Sequence, residues 1–102
     1  MAIYHIVLFK LKPNISPSLL SEFKATALAM VGKVPGLQRI DLGPPHPSTA
    51  HRSLGFDMGL VAVLDKPETI KIYAEHPEHQ KVHKFRDQIC SETLAYDLEI
   101  PQ

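Results

Sequence analysis

The chain has 102 residues, 44% of them hydrophobic and 22% charged, and eleven basic residues balance eleven acidic ones. That length suits one domain, residues 1–102, with a single modest core. Zero net charge without a basic block argues against nucleic-acid binding, and no apolar run reaches the roughly 20 residues that span a bilayer. Cys90, the one cysteine, can form no internal disulfide, which fits a reducing, cytoplasmic setting.

Residues 2–11 alternate, with Ile3, His5, Val7, Phe9 and Leu11 on one face and Tyr4, Ile6, Leu8 and Lys10 on the other. The pattern predicts a strand rather than a signal peptide. Ser16 N-caps the next element, with Pro17 at its first helical position. Leu19, Leu20, Phe23, Ala27, Met30, Val31 and Val34 recur at helical spacing until Pro35-Gly36 stops the run. A short strand over 37–43 comes next, then a mobile surface loop over 43–53, where GPPHPSTAHRS is rich in proline and serine. Residues 54–64 form the next strand, with Leu54, Phe56, Met58, Leu60, Ala62 and Leu64 on one face. Gly55 and Gly59 on the other face mark a bulge or a close approach to the backbone. Pro67 opens a helix through Glu75, Pro77 breaks it, and a new helix runs to about Cys90. Residues 93–100 alternate as the final strand.

The order βαββα(α)β predicts an α+β, ferredoxin-like fold, a four-stranded antiparallel sheet with helices on one face. The first and third strands are apolar on both faces, yet two helices cover only one. A homodimer packed sheet to sheet is the simplest cover for the other.

The stretch YAEHPEHQKVHKF carries His76, His79 and His83 at i, i+3 and i+7. Pro77 places His76 on one helix and the other two on the next, so the three share no continuous face. His79 and His83 could chelate a metal only with a third protein ligand. Gln80 stands where the zinc-protease helix has its glutamate base, and Lys81 repels a cation, so no zinc site is expected. Solvent-facing or locally bonded histidines are the plainer alternative for His83, and helix capping for His76. Tyr73 and His79 flank the break, where a kink can turn both toward the groove between helix and sheet. A histidine with a pKa near 6.5 can take a proton, and a tyrosine hydroxyl can donate to a developing enolate oxygen. Such a pair suits enolisation and aldol chemistry, with no metal or organic cofactor.

The opening strand IYHIVLFKLK, Val34-Pro35-Gly36, the strand at 54–64 and above all Tyr73 followed by His76-Pro77-Glu78-His79 resemble the stress-responsive A/B barrel, or dimeric α/β barrel, domain family. The resemblance covers nearly the whole chain and implies homodimers whose sheets face each other. It is similar in character to the family's plant polyketide cyclases, which run an aldol cyclisation without a cofactor. That likeness implies His79 as base and Tyr73 as its partner, with His5 and Phe23 in the pocket; Val7, Phe9 and His76 are expected beside them in binding a hydrophobic or polyketide ligand. The pocket wall departs at Lys24, Ala27 and Met58, where those enzymes carry phenylalanine, tyrosine and histidine. Some plant relatives hold magnesium on backbone carbonyls, which would fall here on Val31, Val34 and Leu37. A non-catalytic small-molecule-binding stress protein and a cofactorless monooxygenase remain as alternatives to a cyclase.

Overall fold

A computed structural model describes residues 1–101. The elements run β1 (Ile3–Leu11), α1 (Pro17–Leu28), β2 (Leu37–Gly43), β3 (Met58–Leu64), α2 (Thr69–Glu75), α3 (Pro77–Ile89) and β4 (Cys90–Glu99). The strands form one antiparallel sheet in the order β2-β3-β1-β4. This is the expected ferredoxin-like fold.

Alternation decides which side of β1 is covered. Ile3, Val7 and Phe9 point into the core with Met58, Leu60, Ala62 and Leu64 of β3. The helices supply Phe23 and Ala27 from α1, Tyr73 from α2, and Val82 and Ile89 from α3. Phe9 and Phe23 meet edge to face with ring centroids 5.6 Å apart. Burying an aliphatic or aromatic side chain of this kind contributes about 1.5–3 kcal/mol. The opposite side of the sheet is bare: Tyr4, Val61, Leu94, Tyr96 and Leu98 are all exposed. The register sets Ile6 between Val61 and Tyr96, so this apolar strip crosses three strands.

Several boundaries differ from the sequence expectation for local reasons. The first helix ends at Leu28, because Gly32, with φ +92°, sits in a run of turns that carries Met30 and Val34 into the core. The third strand starts at Met58, not residue 54. Leu54 and Gly55 take positive φ (54° and 83°) and make a turn, which no strand accommodates. Gly59 lies in regular register opposite Gly43, and the irregularities fall instead at Leu37/Arg39 and Lys10/Leu11. The last strand begins at Cys90, since α3 passes into β4 without a loop and the Lys12 N–H donates to the Ile89 carbonyl at 2.7 Å. Within 43–53, residues Ala50–Arg52 form a 3-10 turn, and the Ser48 N–H donates to His46 Nδ1 at 3.2 Å.

Candidate active site

The break at Pro77 builds the site. In an uninterrupted helix the Glu78 N–H would bond the Ala74 carbonyl. Here His76 leaves helical geometry (φ −67°, ψ 139°) and caps α3, its Nδ1 accepting the Glu78 N–H at 3.1 Å. The Ala74 carbonyl is thereby freed, and two side chains of α3 take it: His79 Nδ1 at 3.1 Å and Gln80 Nε2 at 2.8 Å. A carbonyl only accepts, so His79 carries its proton on Nδ1 and leaves Nε2 as a bare lone pair. Burial holds the His79 pKa below its ordinary 6.5, opposed by the Ala74 bond and reinforced by His5, His83 and Arg86. The ring is therefore neutral near pH 7, the state a general base requires.

Tyr73, at the end of α2, lies between His5 and His79, with ring centroids 5.0 and 4.5 Å away. Its residue surface is 3% exposed. Among the described residues no buried polar side-chain atom lacks a partner, and no protein group bonds the tyrosine oxygen. That oxygen therefore reaches the open space of the cavity. Burial, with a smaller contribution from Asp97, pushes the Tyr73 pKa up to about 12, so the hydroxyl keeps its proton and can act only as a donor or acceptor.

His5 reaches the same place from β1, and its partner in register on β4 is Asp97. His5 Nδ1 and Asp97 Oδ1 are 2.6 Å apart. A carboxylate there fixes the proton on Nδ1 and the orientation of the ring. The cavity holds about 250 Å³, or roughly eight water volumes at 30 Å³ each. Its floor is apolar, formed by Val7, Phe9, Leu60, Val82 and Ala95, and His83, Arg86 and Thr93 stand at the other end.

His79, Tyr73, His5, Val7 and Phe9 line one cavity. Phe23 and His76 do not join them. Phe23 is fully buried behind Phe9 in the core, and His76 serves α3 as its cap. Ala27 and Met58, where the cyclases differ, are core residues too. Of the three carbonyls at Val31, Val34 and Leu37, that of Val34 accepts the Leu37 N–H at 3.2 Å to close a turn. Among the described residues no three His, Cys, Asp or Glu side chains cluster as a metal site. Burial pushes the Cys90 thiol up to about 11, which leaves it a poor nucleophile. Sequence reasoning missed Asp97 and Arg86. Asp97 was visible as the polar residue on the inward side of the last strand, and Arg86 as the i+7 partner of His79. Only the strand register sets Asp97 behind His5, and only the helix face brings Arg86 to the cavity.

The family model for the stress responsive A/B barrel domain matches residues 3–100. The chain belongs to that family. A dimeric ferredoxin-like protein of unknown function from Bacteroides fragilis is 25% identical, with 97% of this chain and 96% of that one covered and a TM-score of 0.79. An A/B barrel family protein from Mesorhizobium loti is 18% identical over 99% and 97% of the two chains, at a TM-score of 0.76. Hydroxynitrile lyase from Passiflora edulis is 16% identical over 99% and 94%, at a TM-score of 0.87. No curated protein matches the chain. Among the described residues of this A/B barrel protein no helix is long and apolar enough to cross a membrane.

Proposed function

We propose that this A/B barrel protein is a cofactor-independent acid–base catalyst of an aldol-type carbon–carbon bond reaction, in the manner of a polyketide cyclase. The observation that carries the proposal is the pairing of a protonated Tyr73 hydroxyl with a neutral His79 whose Nδ1 is tied to Ala74. His79 Nε2 takes a proton from the carbon beside a carbonyl, and the electron pair moves onto the carbonyl oxygen. The Tyr73 O–H donates to that oxygen as its charge develops. The carbanionic carbon then attacks a second carbonyl of the same chain, and the new alkoxide recovers the proton from the His79 imidazolium. His5, held by Asp97, orients the reacting carbonyls. That one protein of this fold is named a hydroxynitrile lyase supports the fold's capacity for enzymatic function.

The test is formation of cyclised product from synthetic linear polyketide thioesters of several chain lengths. Wild-type protein should exceed the buffer rate, and His79→Ala should lose most of the gain. If no chain length reacts faster than in buffer, the non-catalytic small-molecule-binding alternative takes its place.

The working unit is a homodimer packed through the bare sheet face. Tyr96 is 59% exposed and Leu94 47% in the single chain, an apolar strip too continuous to leave in water. Similar structures of this fold are described as dimeric. A specific interface should bury at least about 1,200 Å² in total. Light scattering should give twice the chain mass at micromolar concentration, and a stable monomer would refute the dimer.

A further inference from the structure

The far end of the cavity has a chemistry that the acid–base pair does not use. His79, Val82, His83 and Arg86 lie at i, i+3, i+4 and i+7 on α3, one face of the helix, and all four line the cavity. Across from them, β4 offers Asp97, Ala95 and Thr93 in register with His5, Val7 and Phe9 of β1. Helix α3 and strand β1 run the cavity in the same sense, and β4 runs against them. Its Tyr73–His79 end is matched by His5, and its Arg86 end by Phe9 and Thr93. Seven residues of helix separate His79 from Arg86, roughly 10 Å of rise.

Arg86 is the one formally charged group in the lining, and no carboxylate lines the cavity. Its guanidinium lies against the His83 ring and donates to Nε2, so a side chain of the same helix face holds Arg86 in place. Asp87 is its nearest carboxylate, at 3.5 Å, but that side chain is 63% exposed and turned to solvent, a weak surface pairing. A guanidinium that is 30% exposed, facing an apolar cavity without a committed counter-ion, is an anion receptor in a partly desolvated setting. The Thr93 hydroxyl on the opposite wall adds a donor.

We propose that Arg86, with Thr93 and with His83 as its positioning residue, binds the carboxylate of a short substrate whose carbonyl lies at Tyr73 and His79. The inference rests on the proposed acid–base function for which group reacts, but not for the anion contact itself. It defines the substrate class as a keto carboxylate whose anion and reacting carbonyl lie at opposite ends of this cavity, with an apolar middle on Val7, Leu60 and Val82.

Binding, not turnover, tests it. Isothermal titration with 5-oxohexanoate, 7-oxooctanoate and 9-oxodecanoate is compared with titration of their methyl esters. One acid of the series should bind about 10- to 100-fold more tightly than its ester. Arg86→Gln should bring the acid's affinity down to about that of its ester, and Arg86→Lys should keep part of the difference. Equal affinity for acid and ester, no binding by any acid, or an acid affinity untouched by Arg86→Gln would overturn the proposal. Arg86-dependent binding with no turnover in the cyclisation assay would leave the anion site standing and remove only the catalytic function.

Discussion

Replacing Tyr73 with Phe and His79 with Ala, singly and together, separates chemistry from stability, because the fold uses the two side chains differently. The Tyr73 oxygen has no protein partner and faces the cavity. Tyr73→Phe keeps the ring between His5 and His79 and should leave the unfolding free energy unchanged or slightly raised. His79→Ala loses the bond to the Ala74 carbonyl, about 0.5–1.5 kcal/mol, and a ring contact worth about as much again. Its expected destabilisation is therefore roughly 1–3 kcal/mol. The rate order is the reverse of bland. Losing one donor to the developing oxyanion should cost roughly 10–10³-fold in kcat, and losing the base about 10²–10⁴-fold. The double variant should fall by less than the product of the two, since both groups serve one transition state. Urea unfolding and single-turnover rates of the four proteins complete the cycle. A Tyr73→Phe variant with wild-type rate would refute the donor role, and multiplicative losses would refute the joint one.

Phe23→Ala should destabilise by about 3–5 kcal/mol, as expected for a buried aromatic truncated behind Phe9; urea midpoints read it, and a loss under 1 kcal/mol would mean the site collapses freely. Gly36→Ala should also destabilise, since φ is +84° and a Cβ would meet Asp65 Oδ1 at 2.6 Å and Thr69 Cγ2 at 2.7 Å; strain alone is about 1–2 kcal/mol, and a thermal melt matching wild type would contradict the geometry. The lowered pKa of His79 means the unfolded chain binds this proton more readily than the folded one, so the stability it confers is complete above about pH 6.5 and is lost as pH falls below that. Wild type should therefore lose more stability than His79→Gln between pH 7 and pH 5 in chemical denaturation, and parallel losses would place the titration elsewhere.

The ferredoxin-like order was legible because period-2 alternation at 2–11 and helical spacing from Leu19 to Met30 are strong local signals. The closeness of Tyr73 and His79 was legible for a different reason: Pro77 has one effect in a helix, and the two residues straddle it. Less was legible where the cause is nonlocal. Leu54 and Phe56 continue the alternation of β3 in sequence, yet positive φ at Leu54 and Gly55 turns the chain before the strand begins. Phe23 shows the same apolar character whether it lines a cavity or fills the core, and only the position of Phe9 in front of it decides. Asp97 looks like any polar residue on an alternating strand until the register sets it beside His5. The use of His76 as a cap was available from the His-Pro dipeptide, since a side-chain acceptor before a proline at the first helical position is a strong start signal.

The two ends of the cavity are coupled by charge. His79 faces His5 on β1, Tyr73 on α2, and His83 and Arg86 on its own helix, with Asp97 of β4 behind His5. After burial, the side chains that depress its pKa are His5, His83 and Arg86. A carboxylate seated on Arg86 would offset the guanidinium's field and exclude water, two changes with opposite effects on the imidazolium. The anion would sit on Arg86 beyond the His83 ring, whose centroid is 6.2 Å from that of His79, whereas the substrate's reacting end would touch the His79 ring directly. Desolvation should therefore dominate, and the bound complex should hold His79 neutral to a lower pH than the free protein does. An NMR titration of the His79 ring with and without the keto acid that binds best measures the shift. A fall in pKa on binding fits a base kept ready by a closed, dry site. A rise would mean that the anion's field outweighs the loss of water and would refute the closed, dry site.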